Sequence, residues 1–183
     1  LTNPQNIELS KKGVERGYAQ LYKDCAPYVY SHVKRYIWDT NFRKDIMQEV
    51  FAKIFTNIKS FDPKKGNFKG WIKRIAINEC LQQIRKKRPL YNAIDIDTSF
   101  DLADDTPLPT DLKRSDIDVL LNDMPPRYKV VFMLSIIDGY SHKEIGEELN
   151  ITESTSRSQL TRAKRWTKRY LLNNIQNDLY GWL

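Results

Sequence analysis

Between residues 89 and 118 the chain carries eight Asp against Lys113 and Arg114, together with Pro89, Pro107 and Pro109. A stretch so rich in carboxylate and proline, and so poor in large apolar side chains, cannot bury enough surface to offset its ordering entropy. It predicts a flexible acidic linker over residues 89–112, so whatever folds must do so on either side of it, as domains over residues 1–88 and 113–183. Both flanks carry helical periodicity, and 40% hydrophobic residues with only seven Gly suffice for real cores. The expected fold is all-α: two small helical domains on a tether, the second a helix-turn-helix of the winged-helix-like kind.

In the N-terminal flank, Ile46, Val50, Ile54 and Ile58 recur every four positions, with Met47, Phe51 and Phe55 beside them, which marks a broad helical stripe over residues 42–59. Upstream, Tyr18, Leu21, Tyr22, Tyr28, Val29, Val33 and Ile37 form a second pattern, interrupted by Pro27, which suits the first turn of a helix. Residues 61–67 are turn chemistry: Asp62-Pro63 opens the turn, and Gly66 or Asn67 can take positive φ. A further helix spans residues 68–87, with Trp71 or Ile72, Ile75, Ala76 or Ile77, Leu81 and Ile84 facing inward.

In the C-terminal flank, Ser115 is a plausible N-cap for a short helix that Met124-Pro125-Pro126 breaks. An apolar helix over residues 127–137 closes at Asp138-Gly139. Ser141 and Glu144 fit a capping box, and Asn150 can accept a left-handed conformation at the following turn. The final helix begins near Glu153 and runs past Arg169, burying Ser156, Leu160, Ala163, Thr167 and Leu171.

Charge sharpens this layout. Residues 64–88 hold nine basic side chains against one acid, Glu79, and residues 153–169 hold six against Glu153. On residues 68–87, cations interleaved with aromatics and amides suit unstacked single-stranded nucleic acid, and equally a solvated face over core aromatics. A short capped helix, a tight turn and a basic second helix outline a helix-turn-helix, or an ordinary antiparallel pair. The longest apolar runs, such as residues 130–134, fall far short of the roughly 20 residues that cross a bilayer. Leu1 to Asn6 lack the basic head and apolar middle of a signal peptide. Cys25, Cys80, His32 and His142 have no metal-ligand spacing. A cytoplasmic, non-enzymatic protein with two reduced thiols, no cofactor and no metal is expected.

Three motif regions in order resemble a known family: the small bacterial RNA polymerase sigma factors of the extracytoplasmic-function type, in the sigma-70 family. Phe42-Arg43-Lys44-Asp45-Ile46-Met47-Gln48-Glu49-Val50-Phe51 is similar to its helix for docking on core polymerase. Residues 61–78, from Phe61-Asp62-Pro63 to Ala76-Ile77-Asn78, are similar to its promoter-melting loop and helix. Residues 120–132, 139–149 and 154–164 are similar to its second DNA-binding domain.

The resemblance implies a transcription initiation factor that binds core RNA polymerase and promoter DNA. Asp45, Gln48, Glu49 and Phe51 would meet the polymerase clamp. Phe61, Asn67 and Phe68 would capture a flipped base of the minus-ten element, with Lys64, Lys65, Trp71, Lys73, Arg74, Asn78, Gln82 and Arg85 serving the same strand. Ser154, Thr155, Arg157, Ser158, Thr161, Arg162 and Arg165 would lie at the minus-thirty-five element. The acidic linker would thread polymerase, and an anti-sigma factor would hold the free chain inactive. Ser154-Thr155-Ser156 stands where the family often has Gly-Thr-Val, which puts the Ser156 hydroxyl inward, where it is expected to bond back to a carbonyl one turn earlier. The competing readings are a sigma-like mimic that binds a regulator and not DNA, a metal-dependent nucleic-acid enzyme built on the Asp-rich segment, and a dimeric repressor.

Overall fold

A computed structural model describes residues 1–86 and 114–180, the side chains of 114–118, 127 and 174–180 excepted. The chain divides into two compact units, Leu1–Lys87 and Arg88–Leu183. Among the described residues every regular element is helical, so no β-wing accompanies the second unit there. The acidic segment 89–112 lies outside the described residues.

The first unit is built from α1 (Pro4–Lys11), α2 (Glu15–Tyr36), α3 (Thr40–Asn57), a 3-10 turn (Ile58–Ser60) and α4 (Phe68–Lys86). Leu21, Cys25, Val29, Val33 and Tyr36 of α2, Ile46, Val50 and Ile54 of α3, and Ile72, Ala76, Ile77, Cys80 and Leu81 of α4 are buried together. The alternatives left open on α4 resolve toward Ile72 and the Ala76–Ile77 pair. Trp71, Ile75 and Ile84 are only partly buried. Burial pushes the Cys25 thiol up to about 11 and the Cys80 thiol up to about 12, which leaves both as unreactive core thiols.

Pro27 does not open a helix; it sits inside α2. A central proline costs about 3 kcal/mol in an isolated helix. Here the buried four-residue stripe runs uninterrupted on both sides of it while Pro27 itself faces solvent, so packing outweighs the lost bond. At the next corner, Arg43 donates from Nε to the Ile37 carbonyl at 2.7 Å and from Nη2 to that of Trp38 at 3.1 Å, satisfying acceptors beyond the α2 terminus.

Helix α1 was not anticipated. Its signal is the pair Asn3-Pro4: Asn3 caps the helix by accepting from the Gln5 N–H at 2.9 Å, and Pro4 takes the first turn. Gly13, at φ +76°, ends it. α1 packs on α2 at Gly17, where a Cβ would stand 2.7 Å from both Leu9 Cβ and the Ser10 backbone nitrogen. Asp24 ties the start of α1 to α2, accepting from Thr2 Oγ1 at 2.6 Å and Asn6 Nδ2 at 3.4 Å, and it also accepts from Gln20 Nε2 of its own helix at 2.7 Å; these hydrogen bonds hold its carboxyl below the usual carboxylate range.

The second unit comprises α5 (Arg114–Asp123), α6 (Pro126–Phe132) extended by a π turn (Met133–Ile137), α7 (His142–Leu149) and α8 (Glu153–Tyr180). Ser115 lies within α5 and does not cap it. Leu120, Leu121, Met124, Tyr128, Val130, Val131, Phe132, Met133, Leu134, Ile145, Leu160 and Ala163 form the core. The stop at Asp138-Gly139 is observed, with Gly139 at φ +75° and the Tyr140 N–H bonded to Leu134 at 2.9 Å. Tyr170 Oη donates to Asp123 Oδ2 at 2.7 Å, tying α8 to the end of α5.

Gly17→Ala should destabilise the first unit by about 1–2 kcal/mol, because overpacking of about 1–3 kcal/mol exceeds the gain in helix propensity. Amide exchange across α2 would quicken while α8 keeps its protection. Unchanged exchange in α2 would show that the crossing does not depend on glycine.

Candidate nucleic-acid interface

The first unit gathers three aromatic rings where its loop enters α4. Phe61 is buried, with Phe68 at 5.0 Å and Trp71 at 5.5 Å between centroids, and Phe68 and Trp71 stack at 5.6 Å with planes 24° apart. This explains why Trp71 is not in the helical core: it belongs to the cluster at the helix entrance. The loop is held by Asp62, which accepts from the Lys64 N–H at 2.9 Å, and by Asn67, which caps α4 by accepting from the Gly70 N–H at 2.7 Å. The Asn67 side-chain oxygen is thus committed to the cap.

Along α4, Lys73, Asn78, Gln82 and Arg85 are partly exposed and Arg74 is exposed, while Lys64 and Lys65 are exposed in the loop. The single acid of residues 64–88, Glu79, is buried and ion-paired with Lys53 of α3. The positive side chains of α4 therefore have no carboxylate of their own helix on the surface. Lys69 sits over the Tyr28 ring at 5.2 Å. Asn78 Oδ1 is buried without a hydrogen-bonding partner within the protein.

On α3, Asp45, Gln48 and Glu49 are exposed, whereas Phe51 is buried against Tyr22 at 4.5 Å and Phe55 at 5.8 Å. Phe51 therefore presents no surface and instead sets the packing of α3 on α2, because the apolar stripe of α3 is wide enough to take in position 51. Gln48 also lines a groove of 430 Å³ with Tyr22, Tyr30, Thr40, Arg43, Lys44 and Met47. Half-exposed Tyr22 and Tyr30, both off the buried stripe of α2, are the signal by which this groove could have been found.

The second unit forms its helix-turn-helix from α7 and α8. The capping box is complete: Ser141 Oγ accepts from the Glu144 N–H, and the Glu144 carboxylate accepts from the Ser141 N–H at 2.9 Å. Asn150 takes the left-handed conformation, φ 53°. Thr152 then caps α8, its Oγ1 accepting from the Thr155 N–H at 3.0 Å. The turn is tight at Gly146, where a Cβ would stand 2.8 Å from the Ile151 carbonyl oxygen.

On α8, Ser154, Arg157 and Ser158 are exposed and Thr155, Thr161, Arg162 and Arg165 partly so. Arg157 pairs with Glu153 one turn back. Ser158 Oγ donates to the Thr155 carbonyl at 2.9 Å and Thr161 Oγ1 to that of Arg157 at 3.1 Å. Buried Ser156 does not bond back along its helix: its Oγ meets His142 Nδ1 at 2.9 Å, joining α8 to the first turn of α7. The ring nitrogen lies within reach of the inward hydroxyl and offers a cross-helix partner, which replaces the expected local carbonyl.

Residues 21–89 match Sigma-70 region 2 and residues 114–166 match Sigma-70 region 4. The extracytoplasmic-function (ECF) RNA polymerase sigma factor SigW of Bacillus subtilis is 30% identical over 180 residues, covering 91% of this chain and 95% of SigW. The chain belongs to the ECF sigma factors. SigE of Mycolicibacterium smegmatis is 28% identical over 158 residues, and the match covers 83% of this chain but only 60% of SigE. The solved structure of the sigma factor RpoE with the anti-sigma factor NepR from Bartonella quintana is similar at TM-score 0.49 and 20% identity, over 84% of this chain and 96% of RpoE. Members of the family are DNA-binding transcription initiation factors and not enzymes. No helix among the described residues is long and apolar enough to cross a membrane.

The surroundings of His142 predict an acid-sensitive contribution to the stability of the second unit. Desolvation, then Arg157 and Lys164 against an opposing Glu153, hold its pKa below 6.5. The fold favours neutral imidazole, so the associated stability is present above pH 6.5 and is lost as pH falls through the lowered value. His142→Gln should flatten that component of the melting profile of the second unit below about pH 6.5. A variant profile parallel to wild type would remove His142 as its source.

Proposed function

We propose that this chain directs core RNA polymerase to a subset of promoters. Its first unit joins core polymerase through the exposed side chains of α3 and takes the unpaired minus-ten strand onto the aromatic cluster and α4. Its second unit sets the start of α8 in the major groove of the minus-thirty-five element. The observation that carries this reading is the aromatic cluster at the entrance of a basic helix whose one acid is buried. Single-strand binding needs that combination of π-faces and cations, and each stacked base contributes about 1–3 kcal/mol.

The chemistry of α8 refines the second contact. Hydroxyls of Ser158 and Thr161 that donate to their own helix meet a groove as acceptors, which suits base amino groups better than phosphates. Arg157, Arg162 and Arg165 supply donors for phosphate or guanine. An anti-sigma factor would be the partner that covers these surfaces in the resting state, and the acidic segment would lie along polymerase.

Holoenzyme reconstituted from this chain and core polymerase should initiate at a limited set of sites sharing two spaced elements, read by mapping transcript starts. Asn78→Ala and Phe68→Ala should each weaken binding of the minus-ten strand about 5- to 150-fold. Arg162→Ala should weaken recruitment to duplex carrying the upstream element and spare single-strand binding. Starts without a shared element would overturn the reading.

A further inference from the structure

Helix α1 lies outside the two Sigma-70 regions matched above, yet it is rigidly built into the first unit. Gly17 lets it close onto α2, Asp24 holds its start through Thr2 and Asn6, and its flank rests on the 3-10 turn before the loop. This fixed geometry places the Lys11 ammonium over the Phe61 ring, 5.6 Å from its centroid. Phe61 is the buried ring that Phe68 and Trp71 contact, so Lys11 is joined directly to the aromatic cluster. Exposed Lys12 follows it in the chain, and exposed Arg16 opens the next helix.

Lys11 has three donors, and Glu8 Oε1 takes one at 3.1 Å in a surface pair of the kind worth little. An ammonium held over the buried ring of a cluster whose Phe68 and Trp71 are partly exposed, with donors beyond its Glu8 pair and a second lysine next in the chain, has the composition of a single-strand site, where bases stack and cations follow the backbone.

We propose that α1 is part of the strand-binding surface, with Lys11 and Lys12 engaging phosphates of the unpaired strand whose base enters the Phe61–Phe68–Trp71 cluster. The inference rests on the minus-ten reading of that cluster. These contacts bind phosphate, so they act uniformly across promoter sequences and do not select among them.

The test uses holoenzyme and a fluorescent non-template single strand spanning the minus-ten element of a promoter recovered by start mapping. Lys11→Met keeps the alkyl chain on the ring and removes the charge; Lys12→Met does so at an exposed position where folding is not at stake. Each should make the slope of log affinity against log salt shallower by about 0.7, the double variant by about 1.4, with about fivefold weaker binding per contact near 0.1 M salt. Lys11→Arg should keep the wild-type slope. Wild-type slopes in Lys12→Met and the double variant, or an Arg variant as shallow as Met, would overturn the inference. Phe68→Ala run alongside separates the two failures. If it weakens the strand and the lysine variants do not, only the role of α1 falls; if it also binds as wild type, the minus-ten reading falls and takes this inference with it.

Discussion

Glu79 decides what α4 can offer to solvent. A carboxylate on the surface of that helix would neutralise Lys73, Arg74 or Arg85 within a turn or two. Turned inward it needs a cation, and Lys53 of α3 supplies one. Such a pair adds little net stability, since the desolvation of both groups offsets most of their attraction. Losing Lys53 alone would leave the buried Glu79 carboxylate without its ion-pair partner. The interaction therefore couples the packing of α3 on α4 to the electrostatics of the exposed face, and the positive surface is a consequence of how the core is closed.

The second unit solves a different problem, that of holding α8 at a set angle on the short helix α7. Nothing large can pass between α7 and α8, because the Ile151 carbonyl occupies the space a side chain at 146 would need. Polar groups complete the junction. The Ser141–Glu144 box starts α7, Thr152 starts α8, and Ser156 to His142 closes the seam between them. Placing a serine at an inward position of α8 calls for a polar partner, since a lone buried hydroxyl is costly. His142 answers that need from the neighbouring helix, and its preference for neutrality follows from the same burial and from nearby Arg157 and Lys164.

Where periodicity and capping chemistry agree, the residues announce the structure. The stripe Ile46, Val50, Ile54 and Ile58 is buried in full, and the box at Ser141, the left-handed Asn150 and the stop at Gly139 all appear as the residues demand. The failures have a common origin in tertiary contacts that local pattern does not encode. Pro27 is tolerated because α2 is packed on either side of it. Phe51 is buried because α3 meets α2 over a wider arc than its four-residue stripe. Trp71 leaves the core for Phe61 and Phe68, rings that lie ten and three positions before it. Helix α1, only eight residues long with Ile7 as its buried apolar side chain, had a cap but too little periodicity to stand out.

The distribution of charge fits two modes of DNA contact. The formal net charge of +7 averages over segments that act separately. At physiological salt, interactions between exposed charges fade over about 8 Å, so a phosphate bound at either unit senses chiefly the charges close to it. The eight Asp of residues 89–118 lower the total. Lower total charge reduces long-range attraction to any polyanion, whereas the local surfaces keep the short-range contacts on which placement depends. On the proposed function, that division favours contact-dependent binding over indiscriminate adhesion to DNA.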